Sequence, residues 1–155
     1  MKDYLTNTFR FNDTANKKLL SKIKQLPDKA ENSKLFSHLI NCQYKWMARV
    51  VYQEGCEKMD WWEPVYEFAK LEDEWDKSLD IWLHYIASHS DEELSAEVFF
   101  TGFDNSLWAA TPKDIALQLN YHSIHHRAQI QTFIRQQGIE PDFVDYIGTK
   151  YRKLD

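Results

Sequence analysis

The stretch Asn120–Gln129, with the sequence NYHSIHHRAQ, contains three of the six histidines of the chain. His122 and His126 are four residues apart. On an α-helix this spacing places both imidazoles on the same face, with their Cβ atoms roughly 6 Å apart. Two neutral imidazoles in this position can bind one metal ion. A histidine-rich turn can also be only a solvated surface, so the rest of the helix has to separate these two interpretations.

The helix around this stretch carries an apolar stripe that separates its histidines. Each residue of an α-helix is rotated by about 100° from the one before it. At this rotation four apolar residues fall on one side of the helix and form the stripe: Ile115, Leu119, Ile130 and Phe133. His126 falls in the middle of the stripe and His122 at its edge, whereas His125 points to a flank or to solvent. A buried polar group without a partner costs about 1–3 kcal/mol. The two inward histidines therefore require a metal ion, water or a polar network as their partner.

Helical spacing of apolar residues predicts four helices, which makes the chain all-α. Their predicted ranges are 3–26, 33–54, 64–86 and 111–137. Pro64 can occupy the first turn of the third helix, and Thr111 can cap the fourth, with Pro112 at its first position. The fourth helix, from Thr111 to Gln137, contains His122, His125 and His126. The pattern predicts a four-helix bundle in a single domain, residues 1–155.

The connection between the third and fourth helices is long and has no helical period. Leu94–Thr101 and Leu107–Ala110 flank a turn-like segment, so a small β-hairpin is possible near residues 95–110. A crossover of this length allows the fourth helix to run in either direction relative to the third. The final segment, Pro141–Tyr151, is predicted to form a short C-terminal helix.

Composition excludes several classes of function. The net charge is −5 and no basic block stands out, which argues against nucleic acid as a partner. No stretch approaches the ~20 apolar residues of a membrane span. The start lacks the apolar run of a signal peptide, and Cys42 and Cys56 form neither a CxxC motif nor a disulfide framework. A cytoplasmic protein that acts on a small molecule is expected.

His38 is the third histidine that could join the pair. It lies three residues after Leu35 and four before Cys42, so it leans into the apolar stripe of the second helix. A single histidine at such an edge is more often a satisfied core residue than a ligand. Three facing helices can nevertheless bring it to His122 and His126, and three histidines plus water form the usual open site of catalytic zinc. The chain contains neither an HExxH motif nor an ExxH pair.

The segment His122–Gln129 resembles the H-x-x-x-H-R-[GA]-Q motif of the DinB/YfiT-like superfamily, which are metal-binding four-helix bundles. Three other segments are similar to family segments in the same order. They are Phe9–Leu20, Phe36–Trp46 and Gly138–Tyr146. Ala128 stands where glycine is commoner in the motif, and both residues are small enough for close helix packing.

This resemblance implies one divalent metal ion, zinc or nickel, on His38, His122 and His126, with the other positions taken by water or substrate. Some members of the superfamily resemble transferases that use bacillithiol, mycothiol or glutathione. The expected function is therefore a metal-dependent transferase that joins a low-molecular-weight thiol to an electrophile. A metal-dependent hydrolase and a non-catalytic stress-response protein that binds metal or ligand are the alternatives.

Several residues near the motif are candidates for supporting roles. Arg127 could steer an anionic thiol or order the site, although a surface salt bridge is the favoured interpretation. Three further residues could contact the metal ligands without binding the metal themselves: Tyr121, Asn41 and His125. None of them is assigned a catalytic role.

The six tryptophans are unusual for a chain of this length. Trp61 and Trp62 lie together in a connection, where exposed aromatic residues often mark an interface. They predict a homodimer, or alternatively they form a wall of the cleft.

Overall fold

Four long helices and one β-hairpin make up the computed structural model, which describes residues 1–102 and 104–154. The helices are α1 (Lys2–Ile23), α2 (Ala30–Val50), α3 (Phe68–Ser88) and α4 (Pro112–Gln136), and the strands are β1 (Val98–Thr101) and β2 (Leu107–Ala110). The two strands are antiparallel. This arrangement confirms the mostly α-helical four-helix bundle and the small hairpin between its third and fourth helices.

The helices pack so that α4 lies between α1 and α2. It contacts both of them along its length, and α3 contacts the same two helices from the other side. One face of α4 is therefore directed at α2, which carries His38, and another is directed at α1. The hairpin packs through β1 against α2.

The core is built on the aromatic stripe of α3. Trp75 and Trp82 are 1% and 0% exposed. Trp82 stacks on Phe9 of α1 with ring centres 6.0 Å apart, and Trp75 meets the ring of Phe36 of α2 at 5.5 Å. These large side chains join three helices because each buried indole removes a large apolar area from water.

The third helix begins at Phe68, so the predicted start at Pro64 is wrong. The segment before the helix is held against α2 in a non-helical conformation. The Asn41 side chain donates to the Pro64 carbonyl at 3.1 Å, and the Ser37 hydroxyl accepts from the Tyr66 N–H at 2.9 Å. Glu67 is extended, with φ −60° and ψ 145°. These contacts satisfy backbone groups that a helical turn would otherwise use.

The C-terminal segment forms much less helix than predicted. It contains one three-residue 3₁₀ turn, Ile147–Thr149. Gly138 ends α4 with a φ of 82°, a left-handed conformation that glycine adopts without strain. Beyond it, the Asp142 carboxylate pairs with Lys22 of α1 at 3.3 Å and its carbonyl accepts from Gln131 of α4 at 3.4 Å. These contacts hold the tail against α1 and α4.

Among the described residues, none of the helices is both long enough and apolar enough to cross a membrane.

Candidate metal centre

The histidines of α4 have the orientations that helical phase predicts. His126 is buried with 6% of its surface exposed, His122 is half-buried, and His125 is exposed. On α2, His38 is also 6% exposed. The inward side chains of α2 and α4 thus place three histidines in the interior between these helices.

The structure brings the three predicted ligand residues together. The Nε2 atoms of His38 and His122 are 2.9 Å apart. The ring centre of His126 lies 4.8 Å from that of His38 and 4.4 Å from that of His122. Their role as ligands of one metal ion stays a prediction.

Hydrogen bonds determine which nitrogen is free on two of these rings. The Nδ1 of His38 lies 2.7 Å from the Trp61 carbonyl, and the Nδ1 of His126 lies 2.7 Å from the side-chain oxygen of Gln129. An oxygen acceptor requires that each Nδ1 carries the proton and donates it. The Nε2 of each neutral ring then keeps its lone pair. This is the usual way in which proteins orient histidines that bind metals, so the residues fit a divalent cation.

Burial keeps these histidines in the neutral form that binds metals. Burial is the main reason why the pKa of His122 falls to about 4, and repulsion from the neighbouring His126, His38 and His125 contributes to the same shift. Burial also lowers the pKa values of His38 and His126, against hydrogen bonds from Trp61 and Gln129 that raise them. A protonated imidazole has no lone pair to give, so these shifts favour metal binding at neutral pH.

Cys42 is a part of this cluster that the sequence analysis did not identify. Its Sγ lies 3.6 Å from the Nε2 of His38 and 3.7 Å from the Nε2 of His122. Donor atoms of His38, Cys42 and His122 all lie within 4.8 Å of one another, so this group could hold a metal ion. Helical spacing predicts Cys42 only as a residue of the apolar stripe of α2. Its position one helical turn after His38 is the signal that could have found it.

The donor cluster opens into a cavity of about 210 Å³. The cavity is lined by His38, Cys42, Trp46, Trp61, Gln118, Leu119 and His122. Trp62 covers the other side of His38, where the two rings stack with centres 3.8 Å apart at an angle of 12°. Trp61 therefore lines the cavity, as one of the two interpretations of this pair predicts, whereas Trp62 packs on His38 and is not one of the lining residues. The homodimer stays a prediction.

Two buried cations contact the aromatic wall of the cavity. The Nζ of Lys45 lies 4.4 Å from the ring centre of Trp61, and the guanidinium of Arg49 lies 4.9 Å from Trp46 and 5.0 Å from Trp61. Within the described part of the chain, neither cation has a carboxylate partner, and the Nε of Arg49 has no hydrogen-bond partner. Burial lowers the pKa of both groups. Lys45 donates to the Met59 carbonyl and Arg49 to the Thr101 carbonyl, and the two side chains place positive charge behind the aromatic wall of the cavity.

Arg127 is not on the surface, so the favoured interpretation as a surface salt bridge is wrong. It is 5% exposed, and its Nη1 donates to the side-chain oxygens of Asn12 at 3.0 Å and Asn16 at 3.3 Å. Both asparagines lie on α1. Asn12 also donates to the Asn120 side chain at 2.7 Å. Arg127 thus joins α4 to α1, whereas the histidines face α2.

Within residues 1–102 and 104–154, the other three candidates make no hydrogen bond to the ring nitrogens of His38, His122 or His126. Tyr121 is 59% exposed, and His125 is exposed beside the His126 ring at 5.0 Å between centres. Asn41 holds the connection that carries Trp61 and Trp62, through its bond to Pro64. Only Asn41 therefore supports the site, and it does so through the backbone of its wall.

Replacing Arg127 by alanine is expected to lower the free energy of unfolding by about 3 kcal/mol, because two buried amide oxygens lose a charged donor. Urea denaturation measures this change. Arg135→Ala on the same helix is the matched control, since Arg135 pairs with Glu140 at the surface at 3.3 Å. The control is expected to cost less than about 1 kcal/mol. Equal costs for the two variants would contradict the structural role of Arg127.

Comparison with known proteins identifies the family of the chain. No curated protein is significantly similar to the chain. A sequence model that describes the DinB superfamily matches residues 24–130, which is more than half of the chain and includes all three histidines and Cys42. The four-helix architecture and the buried donor cluster agree with this match. The chain therefore belongs to the DinB superfamily, and its His38, Cys42 and His122 side chains form a group that could hold a metal ion.

Proposed function

We propose that the protein binds one divalent metal ion, zinc or nickel, through His38, His122 and His126, and that it transfers a low-molecular-weight thiol to an electrophile. The observation that carries this proposal is the orientation of the rings. His38 and His126 each donate Nδ1–H to an oxygen, which leaves Nε2 free in a buried cluster beside a cavity.

The residues around the site have distinct roles in this proposal. When bound, a divalent cation acts as a Lewis acid and lowers the pKa of a thiol or of water. The Trp61 carbonyl and the Gln129 side chain keep His38 and His126 oriented. Trp62 shields His38 from solvent on one side. These contacts keep the ligand nitrogens in place before substrate arrives.

The cavity and its charge favour a small anionic thiol. A volume of about 210 Å³ holds roughly seven water molecules at about 30 Å³ each. That is room for the reactive end of a small molecule. Lys45 and Arg49 lie against the wall formed by Trp46 and Trp61, and their positive charge favours a substrate with a carboxylate.

Activity assays with the metal-loaded protein test this proposal. Bacillithiol, mycothiol and glutathione are each offered with one generic electrophile, and the thioether product is measured. We expect product with at least one thiol, loss of the activity after chelation, and its return when zinc or nickel is added back. His122→Ala serves as the inactive control.

Two outcomes would contradict the transferase. A product formed with water in the absence of any thiol would assign the protein to hydrolases. A protein that binds the metal but forms no product with any thiol would be a metal-binding protein without turnover under the same conditions.

A further inference from the structure

We propose that Cys42 is itself a metal ligand, which occupies the coordination position that a substrate thiol would later take. This inference rests on the metal site proposed above and adds a fourth residue to it. The resemblance to the superfamily implies only histidine ligands. The contacts of Cys42 in this chain are what point to a sulfur ligand.

The distances around Cys42 match those of a tetrahedral site. A zinc ion has Zn–S distances of about 2.3 Å and Zn–N distances of about 2.0–2.1 Å, which at a tetrahedral angle place S and N about 3.6 Å apart. The observed distances from Sγ to the Nε2 atoms of His38 and His122 are 3.6 and 3.7 Å. The two Nε2 atoms are 2.9 Å apart and would separate to about 3.4 Å around such an ion.

Two helices supply the four donors in matched pairs. His38 and Cys42 are one turn apart on α2, and His122 and His126 are one turn apart on α4. Residues four apart on a helix face the same side. The two pairs therefore face each other across the α2–α4 contact. Donor atoms of His38, Cys42 and His122 lie within 4.8 Å of one another, and the ring centre of His126 lies 4.8 Å from that of His38. Three histidines and one cysteine are a complete set for a four-coordinate metal.

If the Cys42 thiolate binds the metal, a substrate thiol has to displace it before the substrate can bind there. As a ligand of a divalent cation, Cys42 would lose its thiol proton to solvent. An incoming thiol that displaced it would pass its own proton to the Cys42 sulfur, so that one sulfur–metal bond would form as the other broke. Cys42 lines the cavity of about 210 Å³, so the incoming thiol and the departing side chain meet in the same space.

Cobalt substitution tests whether Cys42 is a ligand. The protein is loaded with Co²⁺ in a buffer without added thiols, and its absorption spectrum is recorded. We expect an intense sulfur-to-cobalt charge-transfer band in the wild type. Cys42→Ser is expected to bind cobalt without this band. Cys56→Ser is the matched control, because Cys56 is the other free cysteine, and it is expected to keep the band.

Alkylation of the wild type provides a second readout that needs no variant. A small thiol reagent is applied with and without metal, and the labelled peptides are counted by mass spectrometry. Metal is expected to slow the labelling of Cys42 by at least about tenfold relative to Cys56, because a metal-bound thiolate is a weaker nucleophile and is shielded.

The outcomes separate this inference from the proposed function. Cobalt binding without a sulfur band in the wild type, or with an unchanged band in Cys42→Ser, would overturn the role of Cys42 and leave the histidine site intact. Equal labelling of Cys42 with and without bound metal would overturn it as well. A wild-type protein that binds no cobalt, zinc or nickel would overturn the metal site itself.

Discussion

Replacing His122 by alanine is expected to lower the affinity for a divalent metal ion by more than about 100-fold. Removing a residue that only orients a ligand already costs about 10–100-fold, so the loss of a direct ligand should cost more. The Nε2 of His122 lies 2.9 Å from the Nε2 of His38 and 3.7 Å from the Sγ of Cys42, so it is in the middle of the donor cluster. Titration of the metal-free protein with zinc, followed by calorimetry, measures the change.

His125→Ala is the matched control for this experiment. It removes the same side chain from the same helix, three residues away, but from an exposed position. We expect its metal affinity to stay within about threefold of the wild type, because the His125 side chain is exposed and is not one of the proposed ligands. If His122→Ala keeps the wild-type affinity, or if both variants lose it equally, the assignment of His122 as a ligand is wrong.

Trp82→Ala is expected to have the largest effect on stability, a loss of about 3–5 kcal/mol in the free energy of unfolding. Trp82 is 0% exposed and stacks on Phe9. Its indole N–H donates to the Gln43 carbonyl at 3.0 Å. The substitution therefore removes a large apolar contact, leaves a cavity between α1, α2 and α3, and deprives a buried carbonyl of its donor. Urea denaturation measures the loss.

The thermal midpoint of Trp82→Ala should fall by roughly 10 °C, since about 1 kcal/mol corresponds to about 2–4 °C for a chain of this size. Trp108→Ala is the control, because Trp108 lies on β2 with 54% of its surface exposed. Its effect is expected to stay below about 1 kcal/mol. A Trp82→Ala protein as stable as Trp108→Ala would contradict the role of Trp82 in joining the helices.

Sequence periodicity was a reliable guide within each helix. It predicted the four helices, and it separated the inward His122 and His126 from the exposed His125 before any helix was placed in space. The start of α4 was also predictable, since the hydroxyl of Thr111 accepts from the Asp114 N–H at 3.2 Å as its capping role requires. These features depend on residues only a few positions apart, whose relative directions follow from helical geometry alone.

Long-range contacts limited the prediction at several points. Proline is common in the first turn of a helix, which is why Pro64 was predicted to start α3. Hydrogen bonds to α2 instead hold its segment in another conformation. Arginine is usually a surface residue. The side-chain oxygens of Asn12 and Asn16 on α1 accept hydrogen bonds from Arg127 and make its burial possible. A charged group can be buried when distant residues supply its hydrogen bonds, and no local pattern contains that information.

The same distinction applies to the metal site. Helical spacing was enough to place His122 and His126 on one face of one helix, and the resemblance to a family added His38. The packing of α2 against that face could not be predicted. It brings the Sγ of Cys42 within 3.7 Å of the Nε2 of His122 and the Trp61 carbonyl within 2.7 Å of the Nδ1 of His38. The difference arises because helical geometry sets the direction of a side chain locally. Which side chains meet across two helices depends on how the whole core packs.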